Sequence, residues 1–287
     1  MKSLDLKTCH KNFVQFLIDN KRAHATILAY GKDIDQVVSF LIDMGKKDVS
    51  EIKKEDLEAF LSKLTKDGYT PKSVSRKINS LKTLYRFLRA SGEISLDPSA
   101  EISHPKIEPR TPRVLTKMEY RALRDACRAD IRLSAIVEIF LQIGLRIAEL
   151  ANLRLNDVKE DSLYVTGEEG HTPRSVPLNK AAKAAIDRYL TVRPKIKEGA
   201  ALFITKTGRP LLIRNIRNSI DRYFRQAGIQ DAKVNDLRHT FIAHHLAAGT
   251  PLTVISKLVG HKRLSTTEKY LGLVKEKPEE NLKLEEL

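Results

Sequence analysis

Cysteine and long apolar runs are scarce in this 287-residue chain. Its two cysteines, Cys9 and Cys127, stand far apart and in no Cys-x-x-Cys pair, which excludes a disulfide framework or a cysteine zinc site and leaves two reduced packing thiols. No stretch approaches the ~18 apolar residues of a membrane span, and Met1-Lys2-Ser3-Leu4-Asp5 lacks a signal peptide's apolar core. The expectation is a cytosolic protein without membrane contact. Metal ligand sets are missing too: His239, His244 and His245 have no carboxylate or cysteine at ligand spacing, so they read as packed helical histidines.

Positive charge is what the chain has in excess. Against 36 acidic residues stand 51 Lys and Arg, a formal net charge of +15 on a chain that is 41% hydrophobic. That combination suits a globular protein with a polyanionic partner, because each phosphate neutralised by Lys or Arg releases condensed counterions. The length is comfortable for two domains.

From Leu4 to about Ser103 the pattern is helical. Phe13, Phe16 and Leu17 form the apolar side of a first helix, and Ile27, Tyr30, Ile34, Val37, Val38 and Leu41 recur at 3.6-residue spacing in a second, from Thr26. A third runs from Lys54 to Leu64 and ends at Asp67-Gly68. The fourth has Thr70 as N-cap and Pro71 at the first helical position, where a missing N–H is harmless. Its apolar stripe is Val74, Ile78, Leu81, Tyr85 and Leu88, while Lys72, Arg76, Lys82 and Arg86 lie on other faces and are candidates to track a phosphate backbone. Pro105, Pro109 and Pro112, with Lys106, Arg110 and Arg113 between them, then describe an extended basic connector. The expected division is residues 1–104, a linker at 105–113, and residues 114–287.

Beyond the linker, Thr116-Lys117-Met118-Glu119 is a capping box opening a helix, and Ile131 to Gly144 reads as a buried helix that continues through Leu145-Arg146-Ile147-Ala148-Glu149-Leu150. Arg146 and Glu149, three residues apart, then share a face. Ser162–Thr166 and Arg174–Leu178 read as two short strands around a Gly167–Pro173 turn, with one more small strand at Leu202-Phe203-Ile204. Helices follow from Asn179, from Ile213, from Asp236 to Ala248 and from Pro251 to Val259, and Ser265-Thr266-Thr267 begins a last one carrying Tyr270.

Gly-Leu-Arg-Ile-Ala-Glu-Leu at 144–150, Asp-Leu-Arg-His-Thr-Phe at 236–241, Leu-Val-Gly-His at 258–261 and Thr-Thr-Glu-Lys-Tyr at 266–270, in this order and at these intervals, resemble the tyrosine recombinases of the phage integrase and Xer group. The resemblance covers nearly the whole chain. It implies a mainly α, two-domain fold: an N-terminal helical, SAM-like DNA-binding bundle and a catalytic domain of helices with a small β-sheet. It also implies cutting and rejoining of duplex DNA through a 3′-phosphotyrosyl bond with a free 5′-hydroxyl, no metal or other cofactor, and work at the nucleoid as a homotetramer coupled through a C-terminal tail. Tyr270 would be the nucleophile, Arg146 and Arg238 the phosphate-holding arginines, His261 a histidine bonded to phosphate or nucleophile, and Glu149 the residue that orients Arg146. Arg110, Arg113 and Arg174 join the candidate DNA contacts.

These residue types suit the chemistry. A phosphodiester under attack gains charge, which permanently protonated, forked guanidiniums hold well, and a phenol gains nucleophilicity from neighbouring cations. Two positions depart from the family pattern. Asn235 stands where the family has a histidine; it can donate a hydrogen bond to phosphate but cannot shuttle a proton. Glu168 stands where the family has the hairpin lysine that serves the leaving 5′-oxygen, which makes His171 and Lys206 candidate substitute acids. The alternatives are a relative with a weakened site that only binds DNA, a monomeric DNA-relaxing enzyme of topoisomerase IB type, and an RNA-binding protein; the last explains the charge but not the ordered motifs. The tail from Lys275 to Leu287 is acidic, with Leu282, Leu284 and Leu287.

Overall fold

The structure, a computed structural model, describes residues 4–108, 111–167, 172–195 and 200–273. The chain divides into two compact units, Met1–Pro109 and Arg110–Leu287. Arg110, the turn residues Glu168 and His171, and the tail from 274 onward lie outside the described residues.

The first unit holds α1 (Leu6–Asp19), α2 (His24–Asp43), α3 (Lys54–Lys66) and α4 (Pro71–Ala90). Asp5 caps α1 through its side chain, and Thr70 caps α4 with Pro71 in the first turn. The apolar stripes of all four helices meet in one core that includes Phe13, Leu17, Ile34, Phe60, Leu81 and Tyr85, with Cys9 buried beside them. Burial pushes the Cys9 thiol up to about 12, as expected of an inert packing residue. One buried charge stands out against this core. Asp33 is 1% exposed, and α4 answers it with two cations: Lys77 Nζ at 2.8 Å and the Arg76 guanidinium. Of the basic residues read on α4, Arg76 is therefore tied to Asp33, whereas Lys72 and Arg86 are exposed and Lys82 half-buried.

The second unit is built round α6 (Ile131–Ile143), a mostly apolar helix packed against α8 (Lys180–Val192), α9 (Ile213–Gln226) and α10 (Val234–Ala247). Thr116 and Glu119 cap α5 (Lys117–Ala126) reciprocally. Strands β1 (Ser162–Val165) and β2 (Arg174–Pro177) pair antiparallel, Leu163 opposite Val176, with both side chains buried. The elements α7 (Ile147–Ala151), α11 (Leu252–Val259) and α12 (Ser265–Glu268) complete the unit, and Phe241, Ile242, Ile255, Val259 and Tyr270 form a second, smaller core.

Three sequence expectations are corrected. Gly144 adopts a left-handed conformation that ends α6, so Leu145 and Arg146 do not continue the helix; Arg146, with extended backbone, is the N-cap of α7. Tyr270 lies just past α12, beyond the C-cap Lys269, rather than on the helix. Leu202–Ile204 makes no strand: its ladder contacts are isolated bridges, Ile204 with Pro210 and, just before the segment, Ala201 with Arg154.

Candidate active site

Two helix ends aim at one point. An α-helix leaves its last carbonyls without intrahelical donors, and these carry the negative end of the helix dipole. At the end of α11 the carbonyls of Leu258, Val259 and Gly260 each receive an arginine: Arg174 Nε donates to Leu258 at 2.7 Å, Arg238 Nη2 to Val259 at 2.6 Å and Arg146 Nη2 to Gly260 at 2.7 Å. At the end of α6 the Gly144 carbonyl accepts from Arg238 Nη1 at 2.6 Å. Glycine is required at both ends. Gly144 has φ +68° with the Phe241 ring directly against the space a Cβ would fill, and Gly260 has φ +66° with Arg174 Nη1 2.7 Å from that space.

Glu149 ties the three arginines together. Its side chain is 5% exposed and accepts from Arg146 Nη1 at 2.8 Å, from Arg174 Nη1 and Nη2 at 2.8 and 3.0 Å, and from the Arg146 backbone N–H at 2.8 Å. Arg238 Nη1 lies 3.9 Å from the same carboxylate. Burial alone would raise the Glu149 carboxyl, but the Arg174 fork, the Arg146 N–H and both guanidinium charges outweigh it and hold the pKa down at about 2. Three guanidiniums against one carboxylate leave two positive charges in excess. Burial, foremost, and the Arg146 charge bring the pKa of Arg238 down to about 9, so it still carries its proton at neutral pH.

Tyr270, 5% exposed, sits close enough to feel this charge. Burial pushes its phenol above the ordinary tyrosine value, Arg238 pulls it back and Asp236 adds to the rise. The His239 ring meets Tyr270 edge-on, centroids 5.7 Å apart. His261, in the first turn after Gly260, bonds Thr267 Oγ1 through Nδ1 at 2.8 Å, linking the end of α11 to α12. Asn235 is exposed on the first turn of α10, its Nδ2 2.6 Å from His239 Nε2.

The structure thus gathers Arg146, Glu149, Arg238, His261 and Tyr270, with Asn235 on the same helix as Arg238. Arg174, 10% exposed, is bonded to Glu149 and the Leu258 carbonyl, so in this structure it acts as a clamp within the site. Arg113 is half-buried and paired with Glu119 at 2.7 Å. Lys206 follows Ile204, whose carbonyl is bonded by Arg132 near the start of α6, the end of that helix opposite Gly144. His239, which the sequence reads only as a packed helical histidine, stands beside Asn235, a place legible in the i, i+4 spacing. Sequence reasoning missed Lys257 and Lys262, which with His261 line a cavity of about 280 Å³ at the base of the β1–β2 turn. His239, His244 and His245 belong to no cluster of three or more metal-capable side chains among the described residues.

A guanidinium cluster with surplus positive charge, next to a desolvated phenol, is suited to hold a phosphate against that phenol. Residues 113–277 match the phage integrase family and residues 11–92 the N-terminal SAM-like domain of phage integrases. The chain is 34% identical over 252 residues to tyrosine recombinase XerC of Caldanaerobacter subterraneus, covering 84% of this chain and 71% of the relative. It is 33% identical over 268 residues to tyrosine recombinase XerD of Caulobacter vibrioides, covering 88% and 87%. A solved lambda integrase tetramer bound to a Holliday junction shares the fold, with a TM-score of 0.74, 20% identity and coverage of 91% and 78%. The chain belongs to the phage integrase family, the tyrosine recombinases.

Proposed function

We propose that this protein is a site-specific recombinase of the Xer type that cuts and rejoins duplex DNA. The observation that carries the reading is the set of three guanidiniums on one buried carboxylate, with Arg238 of that set acting on the Tyr270 phenol. In the first step the Tyr270 phenol gives up its proton to a neighbouring base or water and its oxygen attacks phosphorus, while the bond to the 5′-oxygen breaks and that oxygen takes a proton from the general acid; the 3′-phosphotyrosyl bond is opened later by a 5′-hydroxyl of the partner strand, which loses its proton as Tyr270 regains one. Arg146 and Arg238 use their remaining N–H groups on the non-bridging oxygens. Glu149, itself held by Arg174, keeps Arg146 in place. His261 and Asn235 donate further hydrogen bonds, and His171, in the turn between the strands, is the candidate acid for the leaving oxygen. Replacing His171 by alanine slows cleavage if it is that acid; an unchanged rate removes it.

The partner is double-stranded DNA, with Lys72, Lys82 and Arg86 in the N-terminal unit and Arg110 as candidate contacts. The working assembly is a homotetramer coupled through the tail after residue 273, and the place of action is the cytoplasm, at the nucleoid. Relatives named as recombinases favour this over a DNA-binding protein without chemistry. A nicked suicide substrate carrying the binding site tests the enzyme directly: wild-type protein forms a covalent adduct, and Tyr270→Phe binds the site but forms none. Absence of an adduct from wild-type protein on a confirmed binding site would overturn the reading.

A further inference from the structure

Asn235 is exposed, on the first turn of α10, three residues before Arg238. An exposed asparagine amide swings freely about its last torsion and is a poor donor on its own, because the ordering has to come from the binding step. Here it is not on its own. Its Nδ2 lies 2.6 Å from His239 Nε2, one turn further along the helix. The other ring nitrogen, His239 Nδ1, is buried with no hydrogen-bond partner and sits 3.3 Å from Asp236 Oδ1, off the line that a hydrogen bond requires. Asp236 in turn is pinned, its Oδ2 accepting the Lys233 backbone N–H at 2.7 Å at the start of α10.

The order of these contacts decides where the imidazole proton sits. A lone pair on Nδ1 would face the negative charge of Asp236, so the proton belongs on Nδ1 and the lone pair on Nε2. That lone pair accepts one of the two N–H groups of the Asn235 amide. The amide plane is then set, and the second N–H remains on the exposed side of the helix turn. We propose that His239 is a positioning residue that, with its proton held on Nδ1 by Asp236, aims the free N–H of Asn235 at the scissile phosphate. The pair thus supplies the directed phosphate donor that a single histidine at position 235 would supply. No bond is made or broken by His239 itself. The proposal rests on the reading of the site as a phosphodiester-cleaving one.

A double-mutant comparison tests it, scored by the single-turnover rate of adduct formation on a suicide substrate at saturating enzyme. His239→Phe keeps an aromatic ring against Tyr270 but removes the acceptor for Asn235. It should slow cleavage about tenfold or more while leaving DNA affinity within about twofold, since a hydrogen bond to a charged group contributes on that scale. In an Asn235→Ala background the same change should slow cleavage less than about twofold further. An equal loss in both backgrounds means that the ring acts only by packing, and overturns the proposal; so does a His239→Phe rate equal to wild type. Failure of wild-type protein to form any adduct would instead overturn the proposed function. If His239→Phe does not fold, nitrogen-15 spectra of the wild-type protein carry the test: neutral His239 as the Nδ1–H form supports the proposal, and as the Nε2–H form overturns it.

Discussion

Glutamine at position 149 would leave three guanidiniums around a neutral amide. Removing one side of a buried ion cluster typically costs about 3–5 kcal/mol, because the remaining charges stay desolvated without compensation. Glu149→Gln is therefore expected to lower the thermal midpoint of the protein by several degrees and to loosen Arg146, with cleavage falling further than DNA binding. The wild-type carboxyl also sets a pH dependence. Its pKa is depressed from 4.5 to about 2 on folding, so its contribution is complete above about pH 4.5 and is lost as pH falls toward 2. At ~1.36 kcal/mol per unit that contribution is about 3 kcal/mol. Urea unfolding compared at pH 5 and pH 3 should show wild type losing more stability than Glu149→Gln; equal losses would mean that the carboxylate is not clamped as described. The residue types at this site were legible in the chain, since phosphate chemistry demands arginine, histidine and tyrosine at ordered intervals. The role of Arg174 was not, because its carboxylate partner lies 25 residues away across a turn.

At the scale of elements, the site is the meeting of two helix ends, and the glycines that end them carry separate duties. Gly144→Ala would force a side chain into left-handed backbone and against the Phe241 ring, which is itself locked in the smaller core. A cost of roughly 2 kcal/mol or more is expected, read as a lower melting temperature. Gly260→Ala presses on the Arg174 fork instead. Arg174 yields more readily than a buried ring, so this variant should lose cleavage activity more than stability; the reverse order between the two glycines would contradict the account. Helix existence was readable from apolar spacing and caps such as Thr70-Pro71 and Thr116–Glu119. The break after Gly144 was not, because Leu145-Arg146-Ile147 continues the apolar period while a single left-handed residue turns the chain.

For the molecule as a whole, a net charge of +15 on a protein that engages DNA predicts binding steeply weakened by salt. With six to ten phosphates contacted, affinity should drop about 10³-fold or more between 50 and 200 mM salt, and log affinity should fall linearly with log salt. The contributions within α4 are unequal. Lys72→Ala and Arg86→Ala, which remove exposed charges, should each lower the salt slope by about one. Arg76→Ala should change the slope less and cost stability instead, because Arg76 helps Lys77 neutralise the buried Asp33. Equal slope changes for all three would show that the Asp33 pair does not hold Arg76 away from DNA.

The sequence by itself determined the helical character of both units, their caps, the surplus of positive charge and the candidate residues for phosphate chemistry. These follow from local propensity, apolar period and residue type, all of which are written along the chain. Only the tertiary structure decided what those residues hold. Arg146 bonds a carbonyl 114 residues away and Arg238 one 94 residues away; every residue has a carbonyl, so no side-chain pattern marks which ones a helix end will offer. The same holds for Asn235, a departure from the family pattern along the chain and an oriented donor once His239 and Asp236 are packed beside it.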